Sequence, residues 1–146
     1  DTLAILKEYD FPPSQLWIEI TERCRDLPIS MIKKTVTAFR EAGIHITMDD
    51  YGTGSSSSQM MLELPVEGIK IDMFFVKDIL EEKKKQALVI GMINFANAAD
   101  LKICIEGIEN DSLESYLRQF DVTCFQGYHY SRPICQDELM KLLIKP

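Results

Sequence analysis

Apolar and β-branched residues recur along the chain in five short runs: LWIEITE (16–22), HITMDDY (45–51), GIKIDMF (68–74), KICIEGI (102–108) and CFQGYHY (124–130). Each is of strand length, and its composition predicts a buried β-strand. Between the runs the apolar spacing lengthens to that of a helix. Residues 28–42 open with Pro28, repeat apolar side chains at Ile32, Val36 and Phe39, and stop before Gly43. Pro in the first turn and Gly just past the end bound a helix there. Residues 83–99 follow a charged EEKKK start and are expected to present Leu88, Met92, Phe95, Ala96 and Ala99 on one face. A third helix is expected over 111–120, behind an Asn/Asp cap, with Leu113, Tyr116, Leu117 and Phe120 inward. Shorter helices are expected over 55–63, ended by Leu64-Pro65, and over 137–144.

Strand and helix alternate throughout, which predicts an α/β fold of parallel strands joined by crossover helices. An open doubly wound sheet and a barrel both satisfy that pattern. In a (β/α) barrel, catalytic side chains come from the C-terminal ends of several strands. Glu19 and Glu22, Asp49 and Asp50, Lys70 and Asp72, Glu106 and Glu109, and Gln126 all fall at or near such ends. Five successive ends of this kind fit one shared mouth better than one crevice. The expected fold is therefore a partial TIM-like (β/α) barrel of about five parallel strands, where a closed barrel has eight and ~250 residues.

Length and charge narrow the partners. At 146 residues the chain makes one domain with a real core. A net charge of −7 argues against a nucleic-acid duplex or an anionic membrane surface as partner. A small anionic ligand stays possible, because bound divalent cations invert the local sign of a site. Cys24, Cys104, Cys124 and Cys135 form no CxxC pair, and His45 and His129 are the only histidines, so a structural zinc site is not expected. Reduced, mostly buried thiols are expected instead, which suits a cytoplasmic protein. The chain shows neither a membrane span nor a signal peptide, and either could belong to a longer, membrane-anchored parent.

Alternation along a strand lets Glu19, Asp49, Lys70, Glu106 and Gln126 point into the same mouth. Converging carboxylates repel one another unless cations are present. Hard oxygen ligands without His or Cys partners select Mg²⁺, Mn²⁺ or Ca²⁺. The adjacent pair Asp49-Asp50 suits two metals, one carboxylate bridging while its neighbour turns, as the strand ends, toward the second ion. Such sites bind phosphate esters and activate water. Taken singly the features have plainer readings: a loop for Asp49-Asp50, and a salt bridge for Lys70 with Glu106. The joint pattern carries the metal hypothesis.

The runs EITE (19–22), DDYGTGSSS (49–57), LPVEGIKID (64–72), IEGIEN (105–110) and QGYHYSRPI (126–134) resemble, in order and spacing, the signature motifs of the EAL-domain phosphodiesterases. The resemblance extends from about Leu16 to Leu139. It implies a barrel that hydrolyses cyclic di-GMP to linear pGpG with two Mg²⁺ or Mn²⁺ ions. By motif, Glu19, Asp49 and Asp50 resemble metal ligands, Lys70 the lysine that orients or helps deprotonate the attacking water, Glu106 the glutamate that holds water at the metals, and Gln126 the glutamine near the nucleophile. Glu22, Asp72 and Glu109 match supporting positions behind these, and Arg132 a residue of the fold. The glutamate of the E-A-L motif and the asparagine that follows it have no counterpart, so the chain is expected to be the C-terminal part of a single EAL domain, inactive by itself. Ser55 and Ser58 depart from the usual aromatic and leucine. The resemblance also admits a degenerate domain that acts as a cyclic di-GMP receptor, or an interaction module. Open barrel edges would favour a homodimer, and sensory or GGDEF-type domains could precede this one.

Overall fold

A computed structural model describes residues 2–21, 27–53 and 57–144. In chain order the elements are α1 (Thr2–Glu8), a 3₁₀ turn (Pro13–Gln15), β1 (Trp17–Thr21), α2 (Ile29–Glu41), β2 (His45–Tyr51), α3 (Ser57–Glu63), β3 (Gly68–Ile71), α4 (Met73–Val76), α5 (Lys83–Ala98), β4 (Lys102–Ile105), α6 (Asp111–Leu117), β5 (Cys124–Phe125) and α7 (Gln136–Leu143). All five strands pair in parallel, in the sheet order β1-β2-β3-β4-β5. That order separates the two architectures which alternation left open. A doubly wound sheet reverses its strand order at a switch point, whereas here each strand is added beside the last. The sheet is a run of consecutive barrel strands.

Outside a bulge in β2, side chains alternate between two unlike faces. Ile20, Ile46, Met48, Ile69, Ile71, Ile103 and Ile105 are buried on the face covered by helices. Val36 of α2, Val89 and Ile93 of α5, and Leu113 and Leu117 of α6 belong to the same core. Burial of each such side chain contributes about 1.5–3 kcal/mol. The other face carries Glu19, Thr47, Lys70, Cys104 and Cys124, which line an open cleft of about 360 Å³. One face is thus the hydrophobic core, and the other is an open surface that carries the ionisable side chains Glu19 and Lys70.

The helix ends follow from local chemistry. After α2 the Gly43 N–H donates to the Arg40 carbonyl at 2.9 Å and the Ile44 N–H to the Phe39 carbonyl at 3.0 Å. This double closure needs a left-handed residue, and Gly43 supplies it with φ +87°. Asp100 does the same after α5, where Leu101 N–H donates to the Ala96 carbonyl at 2.9 Å.

Four expectations are corrected. The buried stripe of α5 is Val89, Ile93 and Ala96, while Leu88 and Phe95 are 47% and 43% exposed. The predicted face was rotated by about one residue because sheet contact, not apolar count, sets the inward stripe. The run at 68–74 ends at Ile71, because the Asp72 side chain accepts from the Phe74 N–H at 2.7 Å and starts α4. The run at 124–130 keeps only two strand residues. There the backbones cross so closely that a Cβ on Gly127 would lie 2.1 Å from the Ile108 carbonyl oxygen. Finally, Cys124 and Cys135 are exposed rather than buried, Cys124 because it stands on the open face of the sheet. Cys24 lies outside the described residues.

Candidate active site

The polar groups of the concave face converge where the strands end, and Lys70 is their hub. Its side chain rises from the middle of β3 and the residue is only 6% exposed. The ammonium lies 2.6 Å from Glu106 Oε1, 2.9 Å from Glu19 Oε1 and 3.2 Å from Asp49 Oδ1. Three carboxylates thus surround the ammonium of one lysine. Burial by itself would lower the lysine pKa, but the hydrogen bonds to Glu106 and Glu19 and the charges of Glu106 and Asp49 outweigh it. The net effect lifts it well above its ordinary 10.5, so Lys70 is an ammonium at any neutral pH.

The adjacent aspartates share this mouth through a defect in β2. Met48 pairs with Ile69 and Tyr51 with Ile71, so β2 spends three steps where β3 spends two. One extra residue is a β-bulge. Asp50 absorbs it with φ +53°, a left-handed conformation that Asp tolerates better than most residues. In a regular strand the two side chains would oppose each other. Here Asp49, Asp50 and Glu106 each offer a carboxylate oxygen within 4.8 Å of the other two.

Asp49 Oδ1 is buried and lacks a hydrogen-bond partner among the described residues. Lys70 is near it, at 3.2 Å, yet off the hydrogen-bonding direction. Three carboxylates sharing one ammonium leave a deficit of positive charge. An orphaned buried oxygen among hard oxygen donors fits a divalent cation of the Mg²⁺ or Mn²⁺ kind.

The remaining expected residues divide. Glu19 is drawn in as a partner of Lys70, with its side chain 47% exposed on the open face. Gln126 follows β5 at the rim of the same cleft, anchored by its N–H to the Ile105 carbonyl at 2.9 Å. Glu109 is exposed and lines a neighbouring depression that also touches Glu106 and Gln126. Asp72 caps α4, and its reach into the mouth is through that helix. Glu22 lies outside the described residues. The Arg132 guanidinium sits 4.7 Å over the Tyr128 ring, beside Gln126. We expect Asp72→Ala to cost about 1 kcal/mol, the worth of an N-cap, and to leave Mn²⁺ affinity within about twofold. Urea unfolding and calorimetric titration of the same variant check both halves.

A second group of ligand-type side chains was not singled out from the sequence. His129 Nε2 lies 3.0 Å from Glu114 Oε2 and 3.4 Å from Asp111 Oδ1. Glu114 is already engaged by Arg118 one turn on, which makes this a surface ion network away from the mouth. Only folding joins residue 129 to residues 111 and 114, so spacing carried no sign of it.

Parallel (β/α) winding with an acidic, lysine-centred mouth at the strand ends defines the class: a TIM-barrel-like domain with a site suited to divalent cations. The model of the EAL domain family matches residues 1–133, and the chain belongs to that family. Its structure is similar to the EAL domain of Mycobacterium smegmatis DcpA, with a TM-score of 0.91 at 30% identity, over 97% of this chain and 64% of that one. It is also similar to Klebsiella pneumoniae BlrP1, solved as a manganese/cyclic di-GMP complex, with a TM-score of 0.80 at 29% identity, over 88% of this chain and 33% of that one. In sequence it is 30% identical to the cyclic di-GMP phosphodiesterase RocR of Pseudomonas aeruginosa, over 94% of this chain and 35% of that protein. The chain spans about a fifth of the length of several other curated relatives. Among the described residues no helix is long and apolar enough to cross a membrane.

Proposed function

We propose that residues 1–146 form the C-terminal part of one EAL domain that hydrolyses cyclic di-GMP to pGpG with two Mg²⁺ or Mn²⁺ ions. The observation that carries this is the buried Asp49 Oδ1, which accepts no hydrogen bond among the described residues, within the Asp49–Asp50–Glu106 group. Asp49, Asp50 and Glu19 would hold the ions, with Glu106 beside them. A divalent ion there supplies Lewis-acid polarisation of a phosphodiester and acidifies water. Lys70, held protonated by its carboxylates, orients Glu106 and Asp49 and offers positive charge to a phosphoryl oxygen, and in this state it does not accept a proton. Gln126, with an amide that both donates and accepts, positions a nucleophilic water from the opposite rim. Glu22, Asp72 and Glu109 act behind these, Asp72 by fixing the start of α4.

A pure receptor has no need for carboxylates gathered by a strained bulge, which favours hydrolysis over binding alone. The open sheet also bears on activity. Its edges, β1 and β5, leave the concave face uncovered among the described residues, and closure of a barrel takes eight strands. We therefore expect the isolated chain to release little pGpG from cyclic di-GMP with Mn²⁺, and to self-associate through those edges. Chromatographic detection of pGpG checks the first point. Rapid turnover at low protein concentration would show that the five strands suffice. Mn²⁺ titration of the chain checks the site itself: binding that persists unchanged in Asp49→Asn would remove Asp49 from it.

A further inference from the structure

We propose that Cys104 and Cys124 form a reversible dithiol–disulfide site on the concave face of the sheet, oxidised by hydrogen peroxide. The two residues are direct register partners on the adjacent parallel strands β4 and β5. Both line the same open cleft, so their side chains stand on the same face. Neighbouring strands lie about 4.8 Å apart, and disulfide-linked Cα atoms are separated by about 4.4–6.8 Å. The strand spacing therefore falls within the range that a disulfide spans. Cys124 is exposed to solvent and Cys104 is half-buried behind it.

This exposure assigns the order of events. The Cys124 sulfur attacks one peroxide oxygen, the O–O bond breaks, and water leaves with the thiol proton. The Cys104 sulfur then attacks the resulting sulfenic sulfur; the S–S bond forms, the S–O bond breaks, and a second water carries off the Cys104 proton. Two electrons pass from the two sulfurs to the peroxide. A bond here ties together the strands whose ends carry Glu106 and Gln126, each two residues beyond its cysteine, and Cys104 is itself in register with Lys70. The site does not depend on the hydrolytic reading, and it stands or falls separately.

The test is a non-reducing tryptic digest of the reduced chain after brief exposure to hydrogen peroxide. Trypsin yields the peptides 103–118 and 119–141, since the Arg132–Pro133 bond is spared. The expected result is that these two become linked, with loss of two hydrogens from the intact mass and full reversal by dithiothreitol. Because Cys135 shares the second peptide, the link must persist in Cys135→Ser and vanish in Cys124→Ser and in Cys104→Ser. Retention of the link in Cys124→Ser would overturn the proposal. So would a sulfinic acid on Cys124 beside a still alkylatable Cys104, or a chain left with both thiols free.

Discussion

Asp49→Asn in the full-length gene product is expected to lower cyclic di-GMP hydrolysis by on the order of 10²–10³-fold, the scale on which removing one well-placed electrostatic group acts. The change keeps the volume of the side chain and removes its charge. Asp49 is the carboxylate with a buried oxygen that nothing in the described protein hydrogen-bonds, so its loss costs the ion more than it costs the fold. Lys70 retains Glu106 at 2.6 Å and Glu19 at 2.9 Å, and folding should survive. Steady-state rates with saturating Mn²⁺, taken beside a urea unfolding curve, separate the two effects. A rate within about threefold of the unaltered protein would take Asp49 out of the metal set.

Lys70→Met tests the opposite member of the same cluster. Met matches the length of the stem but leaves Glu19, Asp49 and Glu106 without their shared cation. Removing one partner of a buried charge group costs about 3–5 kcal/mol. Glu19 is half in solvent and recovers part of that, so we expect about 3 kcal/mol at neutral pH by urea unfolding. Mn²⁺ should restore some of it, because an ion that binds only the folded state stabilises by mass action. The pH dependence has a fixed sign. A lysine pKa raised on folding gives stability that is fully present below its unfolded value of 10.5 and fades as pH rises past it toward the folded value. The gap between the two proteins should therefore be constant through neutral pH and narrow only in strong alkali. A Lys70→Met chain as stable as the parent would show that the carboxylates do not depend on the lysine.

Much of the fold could be read from the sequence, because strand and helix differ in period and Pro28 and Gly43 bound the first long helix. The sheet order could not, since alternation alone is common to barrels and doubly wound sheets, and only the pairing of β1 through β5 distinguishes them. The inward face of α5 was missed for a related reason. Leu88, Met92 and Phe95 outnumber Val89 and Ile93 in apolar bulk, but the sheet selects the stripe.

At the site, Lys70 and Glu106 were legible because strand parity places each inward at a C-terminal end. Asp49 and Asp50 were harder. Parity predicts that neighbours in a strand diverge, and the bulge that reunites them depends on backbone torsion at Asp50, which residue type permits but does not dictate. Asp72 illustrates the converse. Its place after Lys70 suggested a supporting role at the site, and the structure gives it the N-cap of α4. The exposure of Cys124 follows from the open face, a property of the sheet as a whole.

The mouth around Lys70 is proposed to be a divalent-cation site for phosphodiester hydrolysis. The most direct test is conversion of cyclic di-GMP by the full-length gene product, followed by mass spectrometry with Mn²⁺ and again with excess chelator. Linear pGpG that accumulates with Mn²⁺ and stops with chelator is the predicted result. Tight binding of intact cyclic di-GMP with no pGpG under either condition would contradict it and make the protein a receptor.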